Sequence, residues 1–231
     1  MNVTRTGASL DQPLSVNFQT ATGSADAADF TPATGTLSWA ANDPVQKTIT
    51  IPLTNDTAAE GAENFTLTLS GLNGPATFPA SNPQQTLALT VVDHPFDQWR
   101  ADRFGSEANS PSAAAEADAD RDGLETLIEY VFQTDPVGSM DAGKLPSAVT
   151  DGTRIGLQCI CPVSPGVRLE IQRSENLDSW ETIAIRSSGA SAWTSGTAGA
   201  DIVVGPQADE VRVFVPRSSE RSFLRLQAIR N

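Results

Sequence analysis

The densest run of chemistry-bearing residues is Asp118-Ala119-Asp120-Arg121-Asp122-Gly123, followed by Glu129. Aspartates at alternate positions of a tight loop converge their oxygens on one hard cation, and a glycine takes the sharp turn that a side chain obstructs. The carbonyl of Leu124 can add an oxygen, and Glu129, in the helix that follows, can close the shell with two more. The predicted metal ligands are therefore Asp118, Asp120, Asp122, Leu124 and Glu129, and the size and flexibility of such a shell point to Ca2+. The same residues also suit an acidic linker ahead of a helix, because the positive end of the helix dipole favours acids in the first turn.

Other reactive side chains offer less. The single histidine, His94, precedes Pro95 and has no nucleophile motif near it. The chain lacks G-x-S-x-G, H-E-x-x-H and a phosphate loop, so no catalytic residue is assigned and the protein is read as not an enzyme. Carboxylates are plentiful enough for a glycosidase pair by residue type, but metal-loop spacing accounts for them, and aromatics are few for a sugar cleft. Cys159 and Cys161 are two apart, on one side of a strand, and read as two small half-buried apolar residues. Trp180 and Trp193 suit either sugar stacking or a place in the core or at its rim.

These residues sit on a chain of 231 residues that is 39% hydrophobic, apolar enough for a packed core. Its net charge of −13 disfavours a nucleic-acid partner, which calls for a basic face. The charge is uneven. Residues 1–95 carry two basic and eight acidic side chains, residues 96–150 four and eleven, and residues 151–231 nine of each. Cations are therefore expected in the first two segments. No apolar run reaches the length of about 18–20 residues that a membrane span needs. A signal-peptide pattern is absent at the start, and the chain reads as a fragment of something longer.

The hydropathy period supplies the scaffold. Residues 1–95 alternate as half-buried strands do: Val16 and Phe18, Leu37 and Trp39, Ile49, Ile51 and Leu53, Phe65 to Leu69, and Leu87 to Val91. Pro52 marks its run as an edge or a bulge. After Pro95 the spacing of Phe96, Trp99, Arg103 and Phe104 predicts a short helix. A linker follows at 105–117, then a second helix carrying Leu124, Leu127, Ile128 and Val131, ended by Asp135-Pro136. Residues 133–146 read as a second linker. From about 147 the period returns to two, with strands expected at 153–161, 167–174, 181–186, 201–204, 211–216 and 222–229. The fold class expected is mainly β. It comprises an antiparallel β-sandwich over 1–95, a short helical connector over 96–146 that holds the calcium loop, and a second small antiparallel β-sandwich over 147–231.

Several of these stretches resemble known families. Gly23 to Phe30, Gly35 to Trp39, Ile49 to Asp56, Glu60, Glu63-Asn64-Phe65, Leu69-Ser70 and Val91-Val92-Asp93 resemble the motifs of the Calx-beta domain. That resemblance implies an immunoglobulin-like sandwich with acidic loops gathered at one end. It places Asp29, Asp56, Glu60, Glu63 and Asp93 on the family's calcium-ligand positions. The pattern departs where His94 and Pro95 follow Asp93 in place of further aspartates, which implies a weaker site. The same side chains also suit turn capping. The 118–129 loop resembles EF-hand, dockerin and thrombospondin-type-3 loops. Glu125, standing where paired EF-hands carry an aliphatic residue, favours a lone loop. Trp99 with Phe104, Asp118 to Tyr130 with Asp135-Pro136, Ser174, Leu177 and Trp180, and Phe223 with Arg225 together resemble the C-terminal ends of large secreted bacterial proteins. The function these resemblances imply is a calcium-binding, non-catalytic structural or adhesion module of a secreted or cell-surface protein. Its partners would be calcium and other surface proteins or glycans. The alternative is a carbohydrate-binding accessory module of a larger extracellular enzyme.

Overall fold

The computed structural model describes residues 1–6, 10–80, 85–138, 144–196, 200–217 and 221–231. The chain divides into two compact units, Met1–Asp93 and His94–Asn231. Every strand pairing in both is antiparallel.

In the first unit, β2 (Leu14–Thr22), β3 (Thr34–Trp39), β5 (Glu63–Asn73) and β6 (Gln85–Val91) form a sheet in the order β3-β2-β5-β6. A second sheet pairs β1 (Asn2–Thr4) with β4 (Gln46–Thr48). Val16, Trp39, Phe65 and Leu67 turn inward, as their alternation predicts. Phe65 stacks on Phe30 with ring centroids 4.1 Å apart. The Ile49–Leu53 run differs from its expectation as a strand. It makes an isolated bridge, Leu53 with Phe30, and Ile49 exchanges two hydrogen bonds with Met1, its N–H donating to the Met1 carbonyl at 2.7 Å and its carbonyl accepting from the Met1 amine at 2.6 Å. Pro52 has no N–H to give a ladder. Its carbonyl accepts from the Thr31 N–H, and the Thr54 N–H donates to the Asp29 carbonyl. The run thus clasps the 29–31 segment, and that places Asp29.

The second unit is a sandwich of two four-stranded sheets. One runs β11 (Thr194–Ser195), β10 (Glu181–Arg186), β9 (Val167–Ser174), β14 (Phe223–Arg230). The other runs β12 (Asp201–Val204), β13 (Glu210–Pro216), β8 (Arg154–Ile160), β7 (Ser147–Thr150). The six expected strands are present; β7 and β11, short and without clear alternation, are additional.

Both helices belong to this unit. α1 (Pro95–Phe104) starts with proline at its first position, where the missing N–H costs nothing. The His94 ring caps it: Nδ1 accepts from the Phe96 N–H at 3.3 Å, and Nε2 faces the Gly166 carbonyl at 3.0 Å. Those two partners fit the neutral ring with its proton on Nε2. Burial lowers the His94 pKa in the same sense. α2 spans Thr126–Phe132 and ends at Gln133, whose φ of 54° is left-handed. Leu124, expected on the helix, precedes it. The predicted connector is not a separate element, because its apolar faces have no core of their own. Phe96, Trp99, Leu127, Tyr130, Val131 and Phe132 share one core with residues of both sheets, among them Leu157, Leu169, Ile171 and Val213. Of the second expected linker, residues 139–143 lie outside the described residues.

Two polar anchors fix the helices. Asp97 is buried between Arg100, 2.9 Å away, and Arg230 at the end of β14, also 2.9 Å away. Tyr130 Oη donates to the Pro165 carbonyl at 2.8 Å. Tyr130→Phe removes that donor and leaves a part-buried carbonyl without it. We expect a loss of about 1 kcal/mol, and a melting temperature of the second unit lower by roughly 2–5 °C by circular dichroism. No shift would mean that the bond is not made in solution.

Candidate metal centres

The 118–129 loop is assembled by backbone turns that its own carboxylates hold. Asp118 accepts from the N–H groups of Asp122 and Gly123 at 3.1 and 3.0 Å. Asp120 accepts from Asp122 at 3.1 Å, and Asp122 from Leu124 at 2.9 Å. Gly123 has φ of 97°, the left-handed region that the glycine was expected to supply, and Arg121 has φ of 64°. Thr126, which sequence reasoning missed, closes the loop: its N–H and hydroxyl both donate to the Ala117 carbonyl, at 2.8 and 2.9 Å. A threonine at a helix start carries no signal for this role, because its partner is a backbone atom.

Both Asp118 oxygens accept backbone N–H groups, so the oxygens left over by the turns are one each on Asp120 and Asp122. Asp118, Asp120 and Asp122 each offer an oxygen within 4.8 Å of the others. Asp120 Oδ2 and Asp122 Oδ2 are buried without a hydrogen-bond partner. Glu129 is 0% exposed, and neither of its oxygens has a partner. A carboxylate left so is costly unless something positive reaches it. Burial raises its pKa from 4.5 to about 7, followed by the charges of Asp120, Asp122, Asp118 and Asp135. Asp135 was not among the predicted residues; it follows the helix and bears on the site through its charge alone. The three clustered aspartates are hard oxygen donors of the kind a calcium-sized cation takes; Glu129 is outside that 4.8 Å cluster and is linked to it by the charges it feels. Leu124 sits at the turn exit, its N–H held by Asp122.

A second acidic cluster lies in the first unit. Asp29, Glu60 and Glu63 bring ligand oxygens within 4.8 Å of one another. Asp93 supports this cluster from behind: its Oδ2 accepts from the N–H groups of Glu60 and Gly61 at 2.8 and 2.7 Å. Asp56 is exposed, caps the Ala58 N–H at 2.9 Å, and adds its charge to that around Glu60. Asp26, missed in the sequence, donates its N–H to Asp29 Oδ2 at 2.8 Å and adds negative charge near Glu60 and Glu63. Burial first, and Asp29 next, push both glutamates upward. The five predicted residues, spread along the sequence, thus belong to one end of the unit. Three supply the clustered oxygens.

The sign of the Glu129 shift gives a test. A carboxyl whose folded pKa is raised keeps a proton that the unfolded chain has already lost. Its contribution to stability is present below 4.5 and is lost as pH rises through about 7. In chelator, Glu129→Gln should therefore melt above the unaltered protein at pH 7.5, and match it more closely at pH 5. In calcium the order should reverse, because the amide cannot replace a bidentate carboxylate. An order unchanged by calcium would remove Glu129 from the site. Glu63→Ala should abolish a separate, weaker calcium event in titration calorimetry and leave that of the 118–129 loop in place.

Comparison with known proteins places the first unit. Residues 1–95 match the Calx-beta domain family. Similar solved structures include the apo form of the Calx CBD1 domain, at 22% identity over 40% of this chain and 78% of that one, with a TM-score of 0.34. The calcium-binding domain CBD12 of CALX1.1 is 13% identical over 98% of this chain and 66% of that one, with a TM-score of 0.39. CBD12 from CALX1.2 is 10% identical over 96% and 71%, with a TM-score of 0.38. No curated protein matches the chain. The family match ends where the first compact unit gives way to the second, so the likeness to the Calx-beta domain lies in the first unit.

Proposed function

We propose that this protein is a calcium-binding, non-catalytic module of a secreted or cell-surface protein, with a structural or adhesive role and calcium as its brace. The observation that carries this reading is Glu129, a wholly buried carboxyl with two unpartnered oxygens that feels the charges of the loop aspartates. The Asp29, Glu60 and Glu63 cluster in the Calx-beta domain supports a second, weaker calcium site. The loop is of the lone EF-hand-like kind. Because α2 is part of the second core, a cation there stiffens the whole second unit rather than a tether. The carbohydrate-binding reading has less support. Arg225 lies over the Trp180 ring at 4.0 Å, and Arg186 over Trp193 at 5.6 Å, so one face of each ring is taken.

Differential scanning calorimetry tests the brace. A ligand that binds only the folded state stabilises it by about 2.7 kcal/mol at a hundredfold excess over Kd. We expect calcium to raise the melting temperature of the second unit by roughly 5–10 °C over chelator, and magnesium to do so poorly, since it demands a tighter octahedral shell. Two transitions that stay in place when calcium is removed would sink the structural role.

A further inference from the structure

We propose that Cys159 and Cys161 are a redox site, a dithiol that closes to an intrastrand disulfide under oxidising conditions and locks the exit of β8. Their spacing predicts two small half-buried apolar residues. The structure instead buries both, at 2% and 0% exposure, as free thiols. Cys161 Sγ donates to Cys159 Sγ at 2.9 Å. The backbone holds them there. Cys159 pairs with Val211 in the ladder, and the Cys161 N–H donates to the Asp209 carbonyl at 3.0 Å, one rung beyond the pairing of Ile160 with Glu210.

The surroundings point the same way. Arg186, itself 2% exposed, donates to the carbonyls of Cys161 and Pro162, so a buried guanidinium stands beside the pair, and its charge favours the Cys161 thiolate. Against it, the contact with Cys159 and burial hold the Cys161 thiol protonated in the closed fold. Because both thiols are out of solvent, an oxidant reaches them only as the chain folds or opens locally, and the closed disulfide is then sheltered from reductant. The place matters to the unit. The loop from Cys161 to Gly166 receives Arg186 at its start, Tyr130 of α2 on Pro165 and His94 of the α1 cap on Gly166. A covalent bond at its root fixes the seat of both helices.

The reaction is thiol–disulfide exchange with a small-molecule disulfide. One cysteine thiolate attacks the oxidant's S–S bond, forms a mixed disulfide and releases one thiol. The second cysteine then displaces the other thiol. Two protein S–H bonds and the oxidant's S–S bond break. One protein S–S bond and two S–H bonds form, and two electrons pass to the oxidant. The closed ring spans three residues, so little chain entropy is removed, and thiol content is a better readout than melting temperature.

The test is oxidation at equilibrium in glutathione buffers of graded ratio, once in native buffer and once in denaturant. Each sample is then acid-quenched, alkylated under denaturing conditions and weighed intact. In native buffer the chain should lose two hydrogens and take up no alkylating agent. Its midpoint should lie at least about tenfold further toward the disulfide than in denaturant, as expected for a pair held in place by the fold. Cys161→Ser should retain a glutathione adduct or one alkylatable thiol at every ratio. Two alkylated thiols in oxidising native buffer would overturn the proposal. So would a disulfide between chains, or equal midpoints in the two solvents.

Discussion

The second unit turns on one buried carboxyl. Glu129 lies on a helix whose other residues, Leu127, Tyr130, Val131 and Phe132, are committed to the sandwich core. A helix of seven residues has no stability of its own in water. It exists because the core takes its apolar side, and that burial carries Glu129 out of solvent with it. A charge so placed must be neutralised by a proton or by a cation. The aspartates that oppose the ionised form are the same groups that would share a cation with it. Burial, helix position and loop chemistry are thus one coupled problem, which a divalent ion of the right size would solve.

The two units handle acidity differently. In the first, the carboxylates are partly solvated and several are occupied with backbone: Asp93 with the turn at 60–61, Asp56 with Ala58, Asp29 with Asp26. Each such bond stabilises a loop and leaves fewer lone pairs for a metal. In the second, Asp118 gives both oxygens to turns, whereas Asp120 and Asp122 each spend one oxygen on a turn and keep another buried and free. Buried, unpartnered oxygens gain more from a cation than solvated ones, because water has not already satisfied them. That difference, more than the count of carboxylates, ranks the two clusters.

Elsewhere the second unit meets its buried charges internally. Asp97 has two arginines, and Arg186 has two carbonyls. These contacts join segments far apart in sequence, from the start of α1 to the last strand. They explain how a helical stretch bounded by small polar linkers becomes part of a β-sandwich.

What the sequence determined by itself was local. The alternation of aspartates, the glycine at the turn and the period of two along most strands are short-range properties, and each survives as read. The capacity of Asp118, Asp120 and Asp122 to meet follows from their spacing, because a tight loop leaves few other arrangements. What the tertiary structure decided was ownership and burial. Nothing in the run from Phe96 to Phe132 says which core its apolar face will join; the sheets at 154–230 settled that. Pro52 signalled an irregular strand, but only the pairing of Thr31 and Thr54 with its neighbours showed what the run does instead. Thr126 and Asp135 reached the site through a backbone carbonyl and a field, which leave no pattern in residue types. The depth of Glu129 and the contact between Cys159 and Cys161 depend on the packing of strands far away in the chain, and spacing carries no record of that packing.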